Sequence, residues 1–117
     1  MPVVSDYVVI EDHAVTIRRD DHFTRHFNTG GRYSGDSAFI TFSIRSLGEP
    51  EDVPVQVNDY TIGKLRNYHK MDARNWFTQT LVFSSSILKN GNNSLEINVN
   101  QGDVILDNII VHFKQNA

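Results

Sequence analysis

The sequence predicts an all-β protein, a single antiparallel β-sandwich of the jelly-roll type that spans residues 1–117 and has about eight or nine strands. Three observations support this fold class. Apolar side chains alternate with polar ones in several segments, turn-forming residues separate those segments, and helical periodicity is scarce. Because successive side chains of a strand point to opposite faces, a period of two describes strands with one buried face.

The alternation is clearest in residues 40–44, 53–57 and 95–99, whereas residues 104–113 are almost continuously apolar, as a central strand would be. Asn58-Asp59 and the segment 90–93 carry the Asn and Gly residues of tight turns. We therefore expect strands at about residues 3–10, 14–18, 22–28, 38–46, 53–59, 61–66, 75–84, 94–100 and 104–114.

Composition excludes several classes of function. The 117 residues include no cysteine, so neither disulfides nor thiolate metal sites occur. Fourteen acidic and eleven basic side chains give a net charge of −3, which argues against nucleic acid as a partner. No apolar run approaches the roughly 20 residues of a membrane-spanning helix, so we expect no membrane insertion. Residues 1–6 do not resemble a signal peptide, which favours a cytoplasmic location, with export by another route left open.

Three short motifs resemble the galactose-binding-domain-like family of jelly-roll sandwiches, which includes carbohydrate-binding modules. Residues 57–63, VNDYTIG, are similar to the family's V-N-G-x-x-I/V-G hairpin, with Asp59 in place of the usual glycine. Residues 88–97, LKNGNNSLEI, are similar to its L-K-x-G-x-N-x-L-x-I element, and residues 106–111, LDNIIV, to its last strand. The resemblance covers about residues 53–114 and implies the sandwich fold. It leaves the function open, because some members bind glycans and others are scaffolds.

If the strands simply alternate in direction, the connections fall on two ends of the sandwich. Loops 18–21, 46–52, 66–75 and 100–103 would then share one end, and loops 11–13, 28–37, 59–60 and 84–93 the other. Sugar recognition combines an aromatic ring face with carboxylate, amide and guanidinium groups for the hydroxyls. The loop 66–75 and the residue after it carry all these types, and the candidate ligand-binding residues there are Tyr68, His69, Asp72, Arg74, Asn75 and Trp76. A long solvated loop has a similar polar composition.

The first of these ends also collects carboxylates, and Asp20, Asp21 and Asp103 are the candidate ligands of a structural Ca²⁺. Calcium takes about six to eight oxygen ligands, and related sandwiches often carry it. Dispersed surface acids have the same appearance in a sequence.

Trp76 also admits two interpretations. It is either a stacking platform for a ligand or a core or sheet-face anchor, and its place on a strand favours the second.

No catalytic residues are predicted, since neither a nucleophile elbow nor a Ser/His/Asp arrangement stands out. The leading hypothesis is a non-catalytic, carbohydrate-binding-like module, lectin-like in action, that recognises a glycan through loops at one end. The alternative is a structural or assembly subunit whose sheet faces contact other copies of itself or a protein partner. Phe39, which the alternation directs outward, favours this alternative.

Overall fold

The computed structural model describes residues 3–45, 52–65 and 76–116. These residues form nine strands and one 3-10 turn, Ser85–Ile87, which lies between the seventh and eighth strands. The strands are β1 (Val3–Glu11), β2 (Val15–Ile17), β3 (His22–Asn28), β4 (Ser37–Arg45), β5 (Val53–Val57), β6 (Tyr60–Leu65), β7 (Phe77–Ser84), β8 (Asn92–Asn98) and β9 (Val104–Asn116). In this part of the chain, no helix has the length and apolar character needed to span a membrane.

The strands form two antiparallel sheets. The first sheet has the order β1-β9-β4-β7, and the short strand β2 also pairs with β9. The second sheet has the order β3-β8-β5-β6. The long apolar segment at the end of the sequence is therefore the central strand of the first sheet, and the predicted all-β sandwich is confirmed.

Alternate side chains of the two sheets meet in one apolar core. In β4, Ala38, Ile40, Phe42 and Ile44 are completely buried, whereas the residues between them face solvent. Burial of a large apolar side chain stabilises the fold by about 1.5–3 kcal/mol. The fully buried partners from the other central strands are Val53, Val55, Val57, Leu95, Ile97, Val104, Leu106, Ile109 and Val111.

The segment 11–13 does not reverse the chain, contrary to the loop arrangement expected above. Both β1 and β2 run antiparallel to β9, so they run in the same direction along one edge of that strand. The register slips between Val9 and Glu11, and such a bulge interrupts pairing without turning the strand back. Segment 11–13 therefore lies beside the middle of the sheet and not at an end of the sandwich.

The β5–β6 hairpin shows why its motif carries an asparagine. Asn58 and Asp59 both have positive φ, 50° and 70°, which is the backbone of the tight turn that suits the twist of a hairpin. The Asn58 side chain then reaches β8, where its Oδ1 accepts from the Ser94 N–H at 2.9 Å. Its Nδ2 donates to Asn93 Oδ1 at 2.8 Å and to Ile87 O at 2.9 Å.

Asn93, the asparagine of the second motif, is 1% exposed and lies at the centre of this network. Its Oδ1 accepts from the Lys89 N–H at 2.6 Å, and its Nδ2 donates to Thr29 Oγ1 at 2.7 Å and to Gly91 O at 2.9 Å. Buried polar groups need such partners. The two motif asparagines thus join segments 28–31, 58–59 and 85–93, which lie at one end of the sandwich as expected.

Candidate functional site

The opposite end of the sandwich, here called the acidic end, consists of segments 18–21 and 100–103 together with Asp52. Backbone hydrogen bonds join its parts: the Asp20 N–H donates to Val99 O at 2.6 Å, and the Asp52 N–H donates to Gln101 O at 3.1 Å. These segments meet as the alternation of strand direction predicts. The end therefore places backbone and side chains from both sheets on one surface.

The three predicted calcium ligands lie at this end, but their carboxylates do not converge. Asp21 Oδ2 accepts from the Arg18 N–H at 3.1 Å, and Asp103 Oδ1 accepts from the Arg19 N–H at 3.2 Å. These bonds satisfy the turn at 18–21, in which Asp20 has a φ of 68°. The donor chemistry suits a hard cation, yet the three side chains form no single group of ligands. The calcium site stays a prediction.

Among the described residues, one group of side chains of the types that can bind a metal does converge. It consists of Glu11, Asp12 and His13, whose potential ligand atoms lie within 4.8 Å of one another. They lie where β1 ends and the interruption before β2 begins. Glu11 is already paired with Arg25 of β3, at 3.0 Å between Oε2 and Nε, and Asp12 faces His13. These contacts within the protein account for the cluster.

Asp52 links three segments at the acidic end. Its carboxylate lies 3.0 Å from Lys64 Nζ of β6 and accepts from Asn100 Nδ2 at 3.3 Å. The Lys64 ammonium, with a smaller contribution from the Asn100 amide, lowers the pKa of Asp52 below the ordinary value of an aspartate. Asp52 is therefore an ionised acceptor at neutral pH and not a proton donor.

Trp76 lies immediately before β7 and is 42% exposed. It is thus not a core residue, contrary to one of the two roles that its predicted place on a strand favoured. The guanidinium carbon of Arg45, at the end of β4, lies 6.0 Å from the centre of the Trp76 ring, within the range of a cation–π contact. An exposed indole next to a guanidinium is a surface that can stack on a ligand ring and hydrogen-bond to its substituents.

The other predicted ligand-binding residues, Tyr68, His69, Asp72, Arg74 and Asn75, lie outside the residues that the structure describes. Their assignment stays a prediction. Trp76 is the first described residue after them in the sequence.

A second surface was only partly visible in the sequence. Across the outer face of the first sheet, cross-strand pairing aligns one side chain from each of four strands, here called the outer row: Tyr7, His112, Phe39 and Val82. The rings of Phe39 and His112 stack at 4.5 Å and 12°, and Tyr7 is tilted against His112 at 6.3 Å. Alternation identified Phe39 as outward facing, but its neighbours follow from strand order, which the sequence does not display.

A depression of about 100 Å³ adjoins the outer row. Its lining includes Phe39 and His112 together with Lys114 and Ser5, and the Lys114 Nζ donates to Ser5 Oγ at 2.9 Å. The remaining lining residues are Asp6, Ser37 and Phe113.

Comparisons with known proteins rest on structure. No family model matches the sequence, and no curated protein matches it. The fold is similar to part of a beta-porphyranase of glycoside hydrolase family 86 from the human gut bacterium Bacteroides plebeius, with a TM-score of 0.73 and 19% identity over 97% of this chain. It is also similar to part of dimeric latent PorU from Porphyromonas gingivalis, with a TM-score of 0.67 and 14% identity over 99% of this chain.

The chain spans 21% of the length of the porphyranase and 13% of that of PorU. By contrast, a family 35 carbohydrate-binding module from Clostridium thermocellum is matched over 97% of its length and 91% of this chain, with a TM-score of 0.61 and 14% identity. The protein therefore shares the β-sandwich fold of this carbohydrate-binding module, which is the fold that its motifs implied. At these identities the likeness defines the fold.

Proposed function

We propose that this chain is a non-catalytic carbohydrate-binding module that holds a glycan at the acidic end, with Trp76 as its stacking side chain. The observation that carries the proposal is the exposed Trp76 ring beside Arg45, on a sandwich that matches a family 35 carbohydrate-binding module over nearly all of both chains. An indole face packs against the apolar side of a sugar ring, and a guanidinium donates to its hydroxyls.

The residues that precede Trp76 in the sequence complete the proposed site. Tyr68 and His69 supply further ring surface, and Asp72, Arg74 and Asn75 supply acceptors and donors for hydroxyls. On the described side of the acidic end, the Asn100 amide and the Asp52 carboxylate are polar groups already held in place by neighbours. Such preorganised groups lose little freedom when a ligand binds.

The charge state of Asp52 suits a hydrogen-bond acceptor and not the general acid of a glycosidase. A glycosidase needs one carboxylic acid that stays protonated near neutral pH, which requires a raised pKa, and a second carboxylate at a defined separation. The pKa of Asp52 is instead lowered by Lys64 and Asn100. This carboxyl group is suited to accepting hydrogen bonds and not to protonating a leaving group.

Affinity electrophoresis and calorimetry test the proposal. Since the structural neighbours include glycoside hydrolases crystallised with neoagarooctaose and one described as specific for decorated arabinogalactans, the panel contains neoagarooctaose, porphyran, arabinogalactan and xylan, each with calcium and with chelator. We expect at least one to bind, and we expect Trp76→Ala to weaken that binding by about tenfold or more, as the loss of an interface anchor does.

Tyr60→Ala is the matched control, because Tyr60 is also an exposed aromatic residue, 61% accessible, but lies in the hairpin at the other end. It should bind like the unmodified chain. Failure of every saccharide to bind, or equal affinity of the Trp76→Ala variant, would refute the proposed site.

A further inference from the structure

The outer face of the first sheet carries a strip that is rich in apolar side chains, with a polar row on either side of it. Beside the outer row runs a second row, in which Val9, Ile110, Thr41 and Thr80 pair across the same four strands. Tyr7 and Val82 are each 62% exposed, and Val9 and Phe39 are more than one third exposed. Large apolar side chains grouped in this way on a surface mark a contact site.

The ring geometry favours a protein occupant over a sugar. Phe39 and His112 stack face to face at 4.5 Å, so each covers one face of the other. Sugar stacking uses an open ring face, whereas a ridge of ring edges and aliphatic groups packs between the side chains of an opposing sheet.

The charges on this face are arranged so that the face complements itself. On the central strand β9, the outward residues run from Lys114 through His112 and Ile110 to Asp107. The cation and the carboxylate thus lie at nearly equal distances on either side of the apolar strip. Neither side chain belongs to an ion pair among the described residues.

Consider a two-fold axis that lies in the plane of the face, runs perpendicular to β9 and passes between His112 and Ile110. Rotation about this axis brings the same face of a second copy onto the first. It places Lys114 of one copy over Asp107 of the other, and the outer row over the row that contains Val9 and Ile110. Opposite charges meet and the two rows pack against each other, so the face is self-complementary, as an isologous interface requires.

The size of the face is sufficient for such a contact. Four strands about 4.8 Å apart and nine residues rising about 3.3 Å each give roughly 570 Å² per copy. Two copies therefore bury about 1,100 Å² in total, which is just above the roughly 1,000 Å² expected of a specific interface. We propose that the outer face of the first sheet docks on the same face of a second copy of this chain, in the antiparallel register set by Lys114 and Asp107.

This proposal is independent of the proposed glycan site. Trp76 lies immediately before β7, four residues or about 13 Å from Thr80, the nearest residue of the two rows on that strand, so Trp76 lies outside the apolar strip. Loss of dimerisation and loss of glycan binding are thus separate results.

Light scattering after size-exclusion chromatography, and sedimentation equilibrium over about 1–200 µM, test the proposal. We expect a concentration-dependent dimer, and we expect Val82→Lys to weaken it by at least tenfold, because the change places a charge in the apolar strip. Tyr60→Lys adds the same charge at a similarly exposed position of the second sheet and should leave the dimer intact. Thermal unfolding of both variants verifies that they fold. A chain that is monomeric throughout this range refutes the proposal.

Charge reversal tests the register. Lys114→Asp and Asp107→Lys alone each bring like charges together and should weaken the dimer, whereas the double variant restores opposite charges and should recover most of the affinity. If the single changes have no effect, or if the double variant is no better than either, the two-fold register is wrong.

Discussion

At the scale of single residues, the polar side chains of this sandwich act mainly as connectors between distant segments. Asn58 and Asn93 bind each other and the backbone around them at one end. Asp52 joins Lys64 and Asn100 at the other end. Such side chains explain why short motifs can identify the fold while leaving its ligand open.

Asp52 gives the stability of the protein a defined pH dependence. Its pKa is lowered in the folded state by Lys64 and Asn100, whereas an unfolded aspartate titrates near pH 4. Its stabilising contribution is therefore present above about pH 4 and is lost as the pH falls through the lower folded value. We expect Asp52→Asn to unfold at lower urea concentration than the unmodified chain at pH 7, with a difference that shrinks toward pH 3.

Lys64→Met removes the principal cause of the lowered pKa and should show the same convergence with the unmodified chain. Urea unfolding followed by circular dichroism at pH 7, 5 and 3 measures both variants. A difference between Asp52→Asn and the unmodified chain that stays constant over this range would show that the carboxylate charge plays no part.

At the scale of elements, the strands were predictable and their pairing was not. The bounds of the observed strands differ from the expected ones by at most two residues, because period-two patterning and the Asn-Gly turns are local properties of the sequence. The continuity of β1 and β2 along β9 is set by a bulge and by long-range pairing. Their alternation alone could not distinguish one interrupted edge from two antiparallel strands.

The network around Asn93 fastens three connections to β8, so we expect it to contribute to the stability of that entire end. Asn93→Ala leaves the Lys89 N–H, the Asn58 amide and the Gly91 carbonyl without this partner. Buried groups left unpaired cost about 1–3 kcal/mol each before relaxation. The free energy of unfolding should therefore fall by about 2–4 kcal/mol.

Asn92→Ala is the matched control, since the neighbouring Asn92 is exposed on the same strand. Its effect should stay within about 0.5 kcal/mol. Equal effects of the two substitutions in denaturant unfolding would mean that the buried amide is dispensable.

At the scale of the whole molecule, the sequence defines the inner surface far better than the outer ones. Inward-facing residues such as Phe42 and Ile97 follow from alternation alone, and they are buried as expected. The outer row needs Tyr7, Phe39 and His112 to come together from strands that are distant in sequence. The same holds for the acidic end. The sequence predicted that its segments meet, whereas the contact between Arg45 and Trp76 depends on side-chain placement, which the sequence does not display.

The claim that alternate residues form one core between two sheets predicts sharply different costs for neighbours on β4. Phe42 is completely buried between the sheets, whereas the adjacent Ser43 faces outward. Phe42→Ala removes an aromatic side chain and leaves a cavity, so it should lower the free energy of unfolding by about 3–5 kcal/mol. Ser43→Ala should change it by no more than about 0.5 kcal/mol. Similar urea midpoints for the two variants would be incompatible with a sandwich whose inner face contains Phe42, and with both surfaces proposed on its exterior.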